Sequence, residues 1–152
     1  MRHPPISELT SHLGYWMRMV SNQVSLAFAK KLEAKDVTVA EWVVMRELYD
    51  VEALAPSRLA ERMGITRGAI SKLADRLIDK ALIARNASPD DGRAQSLALT
   101  AEGRRLVPEL AALADTNDAE YFGHLQPDER QMIEDMLRAI AERRDIRTIP
   151  VE

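Results

Sequence analysis

The sequence predicts a mainly α-helical fold with one small β-hairpin, an α+β chain. Three observations carry that prediction. Apolar residues recur at intervals of three and four along most of the chain. Two short helical stretches, 56–63 and 67–80, are separated only by Gly64-Ile65-Thr66. Two apolar stretches, 82–87 and 95–99, flank Ser88-Pro89-Asp90-Asp91-Gly92-Arg93, a run of turn-forming residues. Helix, tight turn, helix, strand, turn, strand is the order of a winged helix-turn-helix, a shape used mainly to hold duplex DNA.

From the N-terminus, Ile6 to about Lys35 reads as one long helix. Its stripe is Leu9, Leu13, Trp16, Met17, Val20, Val24, Ala27, Phe28 and Leu32. At 1.5 Å per residue that helix would run about 45 Å, long for a small domain, so it is expected to pack beyond its own domain. Asp36 and Val37 mark its end. Thr38-Val39-Ala40-Glu41 is a capping box, a threonine followed three residues later by a glutamate. It opens a helix to about Tyr49 whose apolar residues Trp42, Val43, Met45, Leu48 and Tyr49 make it the buried hub. Asp50 to Ala55 is a short connection.

Pro56 suits the first position of the next helix, where its missing N–H leaves nothing unpaired. Leu59, Ala60 and Met63 share a face, and Gly64 follows where a left-handed residue commonly ends a helix. Thr66 can cap the second helix. There Ile70, Leu73, Ala74, Leu77 and Ile78 form the buried stripe, leaving Gly68, Lys72, Asp75, Arg76 and Asp79 outside. Arg67, Gly68, Ser71 and Lys72 crowd its N-terminal half, where the helix dipole also favours phosphate. It is the candidate recognition helix. The hairpin tip would bring Arg93 to phosphate or the minor groove, with Asp91 holding the guanidinium.

Thr100 can cap another long helix, with Leu106, Leu110, Leu113 and Ala114 as its stripe and Pro108 expected to kink it or delay its regular start. Gly123 and His124 look like its stop. Pro127 opens the last helix, with Met132, Ile133, Met136, Leu137 and Ile140 on one face and Arg143, Arg144 and Arg147 near its end. The tail from Thr148 to Glu152 is expected to be extended. The helices at the two sequence ends have no obvious partner layer, and packing together across a two-fold axis would give them one. The expected organisation is a helical dimerisation region, 1–35 with 101–152, around a DNA-binding unit, 36–100.

Composition narrows the function. The net charge is −3, yet Arg58 to Arg105 holds ten Lys/Arg against six Asp/Glu, and the remainder eleven against eighteen. The candidate DNA module is therefore basic and the rest acidic; a merely solvated charged face is the plainer reading. No apolar run is long enough for a membrane span, and Met1-Arg2-His3-Pro4-Pro5 lacks the apolar core of a signal peptide. There is no cysteine, which removes disulfides and thiolate metal sites. A cytoplasmic location is the simplest expectation. Catalysis has no support: there is no Gly-rich phosphate loop and no nucleophile elbow. His3, His12 and His124 are too scattered for a metal site, and no cofactor is expected.

The stretch from Pro56 to Thr100 resembles the winged-helix core of the MarR family of bacterial transcriptional regulators. That family's wing carries Asp-x-Arg, five residues, then Leu-Thr, and here Asp91-Gly92-Arg93 is followed by Ala94 to Ala98 and then Leu99-Thr100. Leu59-Ala60 and Asp75-Arg76-Leu77 also fit. Ala55 departs from the usual polar cap, and Ala81 stands where relatives often have glycine. If Ala81 needs a left-handed backbone, the cost is on the order of 1 kcal/mol.

The resemblance covers nearly the whole chain and implies a homodimer that places two recognition helices and two wings on a pseudo-palindromic operator. It implies a regulator, most often a repressor, released by a small ligand such as an aromatic or phenolic anion. The DNA-contacting set would be Ser57, Thr66, Arg67, Gly68, Ser71, Lys72, Arg76, Asp91, Arg93 and Gln95. The effector would sit among His12, Tyr15, Trp16, Met19, Trp42, Met45 and Arg46, with Arg18 as another polar contact; plain core packing is the competing reading of those aromatic and methionine side chains. A winged-helix protein-interaction module without DNA binding is the alternative function.

Overall fold

The computed structural model describes residues 3–87 and 95–152. Its elements are α1 (Leu13–Glu33), α2 (Val39–Tyr49), α3 (Pro56–Met63), α4 (Arg67–Asp79), β1 (Ile83–Ala87), β2 (Gln95–Leu99), α5 (Ala101–Phe122) and α6 (Pro127–Arg143). This is the expected order, mainly helical with one antiparallel hairpin, in which Ile83 faces Leu99 and Ala87 faces Gln95.

The predicted caps form. Thr38 Oγ1 accepts from the Glu41 N–H at 3.1 Å, and Glu41 Oε1 accepts from the Thr38 N–H at 3.2 Å. Thr66 accepts from the Ala69 N–H at 3.1 Å and Thr100 from the Gly103 N–H at 3.0 Å. Each such cap satisfies an orphan donor and stabilises by about 1 kcal/mol. Ala55 offers no side-chain cap to α3.

Four helices end in one geometry. Around Gly64 (φ 67°), the Ile65 N–H reaches the Ala60 carbonyl and the Gly64 N–H that of Glu61. The same paired bonds close α1 around Asp36 (φ 55°), α4 around Ala81 (φ 60°) and α6 around Asp145 (φ 53°). This double closure satisfies the last carbonyls through one left-handed residue. Only Gly64 adopts that backbone without a Cβ penalty; Ala81 does need the left-handed conformation, and an alanine there is strained.

The core lies where α2 meets α3, α4, the hairpin and α5. Leu32, Met45, Leu48, Leu59, Met63, Ile70, Leu77, Ile83, Leu97 and Leu110 are all sealed from solvent. Leu54, expected only to connect α2 and α3, exchanges both backbone hydrogen bonds with Leu97 (2.9 and 2.8 Å), which hangs the start of α3 on β2. Gly103, in the first turn of α5, lies against the Leu82 carbonyl so closely that any Cβ would overlap the oxygen. A second join fixes the same corner, since Thr100 Oγ1 donates to the Ala81 carbonyl at 2.8 Å.

Beyond this core, which already takes in Leu32 of α1 and Leu110 of α5, the terminal helices join by polar contacts. α1 packs on α5 through polar contacts: buried Asn117 donates to the Val24 carbonyl (3.1 Å) and accepts from Lys31 Nζ (3.0 Å), while Lys31 also pairs with Glu120 at 2.8 Å. Asp118, in the run that weakens the apolar pattern of α5, pairs with Arg130 of α6 at 2.8 Å. That hydrogen bond and charge raise the Arg130 pKa above its ordinary value.

Four expectations change. The helix does not begin at Ile6: a 3-10 turn spans Leu9–Ser11, His12 is extended, and α1 starts at Leu13. Trp16 Nε1 donates to the Thr10 carbonyl at 2.9 Å, an acceptor that continued helix would have used otherwise. α1 is therefore about 32 Å long, not about 45 Å. Its end also comes earlier, at Glu33 rather than near Lys35. α5 starts at Ala101 without delay and stays helical through Pro108 to Phe122, although Pro108, eighth in the helix, has no N–H to give the Arg104 carbonyl. The tail is extended as expected, but it folds back onto the helix-turn-helix. The Ile149 N–H donates to the Met63 carbonyl at 3.2 Å, and Ile149 and Val151 pack on the core.

Candidate nucleic-acid interface

α4 is seated by its apolar side. Ile70, Leu73, Ala74 and Leu77 are buried against the core, which turns the opposite side outward. Arg67, Gly68, Ser71, Lys72 and Arg76 are exposed there, beside the Thr66 cap, and Ser57 is exposed in the first turn of α3. Among the described residues Arg67, Lys72 and Arg76 have no ion-pair partner, so their charge is available to an outside anion. The free N–H groups and dipole at the α4 N-terminus add to that positive edge. Gln95, at the start of β2, is exposed on the wing. Asp91 and Arg93, the expected wing-tip pair, lie outside the described residues.

One contact at this face escaped sequence reasoning. Arg85 of β1 pairs with Asp75 of α4 at 3.2 Å. Asp75, expected on the outer face of α4, ties β1 of the wing to that helix. Nothing local announces a pair ten residues apart across two elements, although opposite charges on the outward faces of a helix and the following strand are a usable hint.

The residues expected around an effector fall in three places. Met45 is fully buried in the protomer core. Trp42 is partly buried and meets Phe28 edge-on, ring centres 6.5 Å apart. His12, Trp16 and Met19 are exposed at the N-terminal half of α1, with Tyr15 partly buried and edge-on to Trp16 at 5.2 Å. Arg46 is held elsewhere, by Asp50 at 2.8 Å and over the ring of Tyr49, and lines an open depression with Glu47, Asp50, Val51 and Arg62. No cluster of His, Cys, Asp and Glu suited to a metal ion occurs among the described residues.

A basic α4 face beside a hairpin wing, carried on a helix-turn-helix core, defines a winged-helix DNA-binding protein. A profile described as MarR family matches residues 35–94. The HTH-type transcriptional repressor MdtR of Bacillus subtilis is 30% identical over 122 residues, 80% of this chain and 79% of that protein. The chain belongs to the MarR family. Two solved structures superpose on nearly its whole length. BpsR of Bordetella bronchiseptica, whose DNA binding is regulated by 6-hydroxynicotinic acid, aligns with a TM-score of 0.79 at 26% identity over 90% of this chain and 98% of that one. CouR of Rhodococcus jostii RHA1, bound to p-coumaroyl-CoA, aligns at 0.78 and 27% identity over 90% and 96%. Membership makes this protein a homodimeric DNA-binding transcriptional regulator rather than an enzyme.

The unpartnered surface fits a dimer. α6 buries no residue within the protomer, and its stripe Met132, Ile133, Met136, Leu137 and Ile140 stays 42–61% exposed. Leu9, Leu13, Trp16, Met17 and Val20, before and along α1, are also open to solvent. Apolar surface on this scale marks an interaction site. Among the described residues no helix is long and apolar enough to cross a membrane.

Proposed function

We propose that the dimer is a transcriptional repressor that binds a specific DNA sequence and is released from it by a small aromatic anion. The exposed face of α4 carries the reading: three cations without ion-pair partners among the described residues, Arg67 and Lys72 in the N-terminal half and Arg76 in the last turn, on a helix fixed by a fully apolar underside. Arg67 and Lys72 contact the major groove and its phosphates. Gly68 and Ser71 permit close approach, Thr66 and Ser57 donate to the backbone, and Arg76 meets a phosphate further along. Gln95 serves the wing, and Arg93, held by Asp91, reaches the minor groove or its edge. The working division is 36–100 as DNA reader and 1–35 with 101–152 as dimer body, acting in the cytoplasm.

The effector reading is supported by relatives whose ligands are aromatic acids or their thioesters. In this chain the exposed aromatic group at Tyr15 and Trp16, with Met19 and His12, is the candidate seat on the dimer-body side. Trp42, Met45 and Arg46, also expected at the effector, lie apart from it within the protomer, Trp42 against Phe28, Met45 in the core and Arg46 beside Asp50. A ligand preferring one separation of the two α4 helices would shift the DNA-binding equilibrium by that preference.

Fluorescence anisotropy with a duplex from the gene's own upstream region, against a scrambled duplex over a salt series, tests the DNA reading. Selective binding that weakens with salt is expected. Equal, weak binding to every duplex in a wider pool would overturn it. Loss of the operator complex on adding 6-hydroxynicotinate or a hydroxycinnamate, with quenching that disappears in Trp16→Phe, tests the effector seat.

A further inference from the structure

The far end of α4 is held by a charge that no groove contact explains. Glu41, in the first turn of α2, is 1% exposed. A lone buried carboxylate is costly and keeps its charge only with a partner. Its partner is Lys80, the residue that ends α4, whose Nζ lies 2.9 Å from Oε2 and 3.1 Å from Oε1. The same ammonium donates to the Asp36 carbonyl at 2.6 Å, and the Asp36 carboxylate stands 3.9 Å away. Asp36 is the left-handed residue that closes α1 (φ 55°), and Glu41 is the capping-box acid that opens α2. One side chain therefore joins the end of α4 to the corner where α1, part of the dimer body, turns into α2. Ala81, strained at φ 60°, follows Lys80 directly, so the chain leaves α4 at a sharply defined angle.

We propose that Lys80 is a positioning residue: through Glu41 and the Asp36 carbonyl it sets the angle of α4 against the α1–α2 corner, and so the separation of the two α4 helices in the dimer. The consequence for DNA rests on the reading of α4 as the groove-binding helix. Half-sites are recognised about one helical turn apart, so a loosened angle blurs the preferred separation without removing any base contact. Glu41 is too buried to touch DNA, which makes it the clean probe. A change at Glu41 can reach DNA only through position.

Three proteins decide the matter: the full chain, Glu41→Gln, and Glu41→Gln/Lys80→Met. Glutamine keeps an oxygen for the Thr38 N–H, and the double variant leaves no buried charge unpaired, so it is the one built to fold. Each is used to select duplexes from a library with randomised half-sites and spacers, and each is followed by amide hydrogen exchange. The expected result is the same half-site sequence for all three. The preference for one spacer over its neighbours falls at least tenfold in both variants, at an unchanged salt slope. Amides 78–82 and 36–41 exchange at least tenfold faster, while those of α5 do not. Wild-type spacing preference and wild-type protection in the double variant would overturn the proposal. So would a salt slope reduced by about one only when Lys80 is changed, because Lys80 would then be a phosphate contact. If the full chain enriches no duplex, the DNA reading fails by itself, and the exchange data still judge the clamp: unchanged protection rejects it and local loss upholds it.

Discussion

The winged-helix unit and the terminal helices use apolar residues in opposite ways. Between Val37 and Leu97 every large aliphatic side chain is buried or partly buried within the protomer. In α6 none is, although its stripe is as regular as that of α4. Periodicity thus reports that a face will be covered, not by which chain. The first unit is completed within its own chain, by Leu32 of α1, Val107 and Leu110 of α5 and the tail residues Ile149 and Val151, whereas the open stripe of α6 has no cover within the protomer. Folding and dimerisation should then be separable in one half of the molecule and inseparable in the other.

The hardest test of that contrast is to charge the open stripe. Ile133→Asp with Met136→Asp should convert the dimer to a monomer by light scattering. Operator affinity should drop at least 100-fold, because two linked contacts become one, while helix content from 36–100 persists. A dimer that survives both charges would place the interface elsewhere. Next comes the sealed half. Leu77→Ala removes a fully buried side chain and should cost about 2–5 kcal/mol in urea unfolding. Met136→Ala, by contrast, should lower stability only in a concentration-dependent way. Smaller still, Arg93→Ala or Lys72→Ala should reduce the salt slope of DNA binding by about one unit with dimer mass unchanged. An unaltered slope for Arg93→Ala would take the wing out of the mechanism. Last, Ala81→Gly relieves the backbone at φ 60° and should raise stability by about 0.5–1 kcal/mol. A lower melting temperature would mean that the left-handed alanine is not strained.

What the sequence disclosed follows the range of the interactions. Thr38 with Glu41, Thr66, Gly64, Pro56, Pro127 and Thr100 act within a few residues of themselves, and each lies where its local chemistry places it. The outward face of α4 was legible for the same reason, since a helix face is local arithmetic. Contacts that close across the chain were not: Leu54 with Leu97, Ile149 with Met63, Arg85 with Asp75 and Lys80 with Glu41 join residues whose neighbours give no sign of the partner. The start of α1 was misplaced because Leu9 and Leu13, four residues apart, suit a continued helix, whereas the chain makes a 3-10 turn and one extended residue first. Only the Trp16 indole reaching back to Thr10 decides between them. The proposed effector residues were chosen by type rather than by position. A core methionine and a surface methionine look alike in sequence, and Met45 and Met19 are one of each.

Gly103 makes α5 a lever with a bare bearing. Backbone meets backbone where its first turn touches the Leu82 carbonyl, with the Leu99 side chain close beside it. The helix extends about 33 Å from that point to Phe122. A tilt of about 10° at the bearing carries the far end through about 6 Å, by the geometry of a rigid rod of that length. The gearing also runs in reverse: a large excursion among the terminal helices arrives at the root of the wing as a turn of a few degrees.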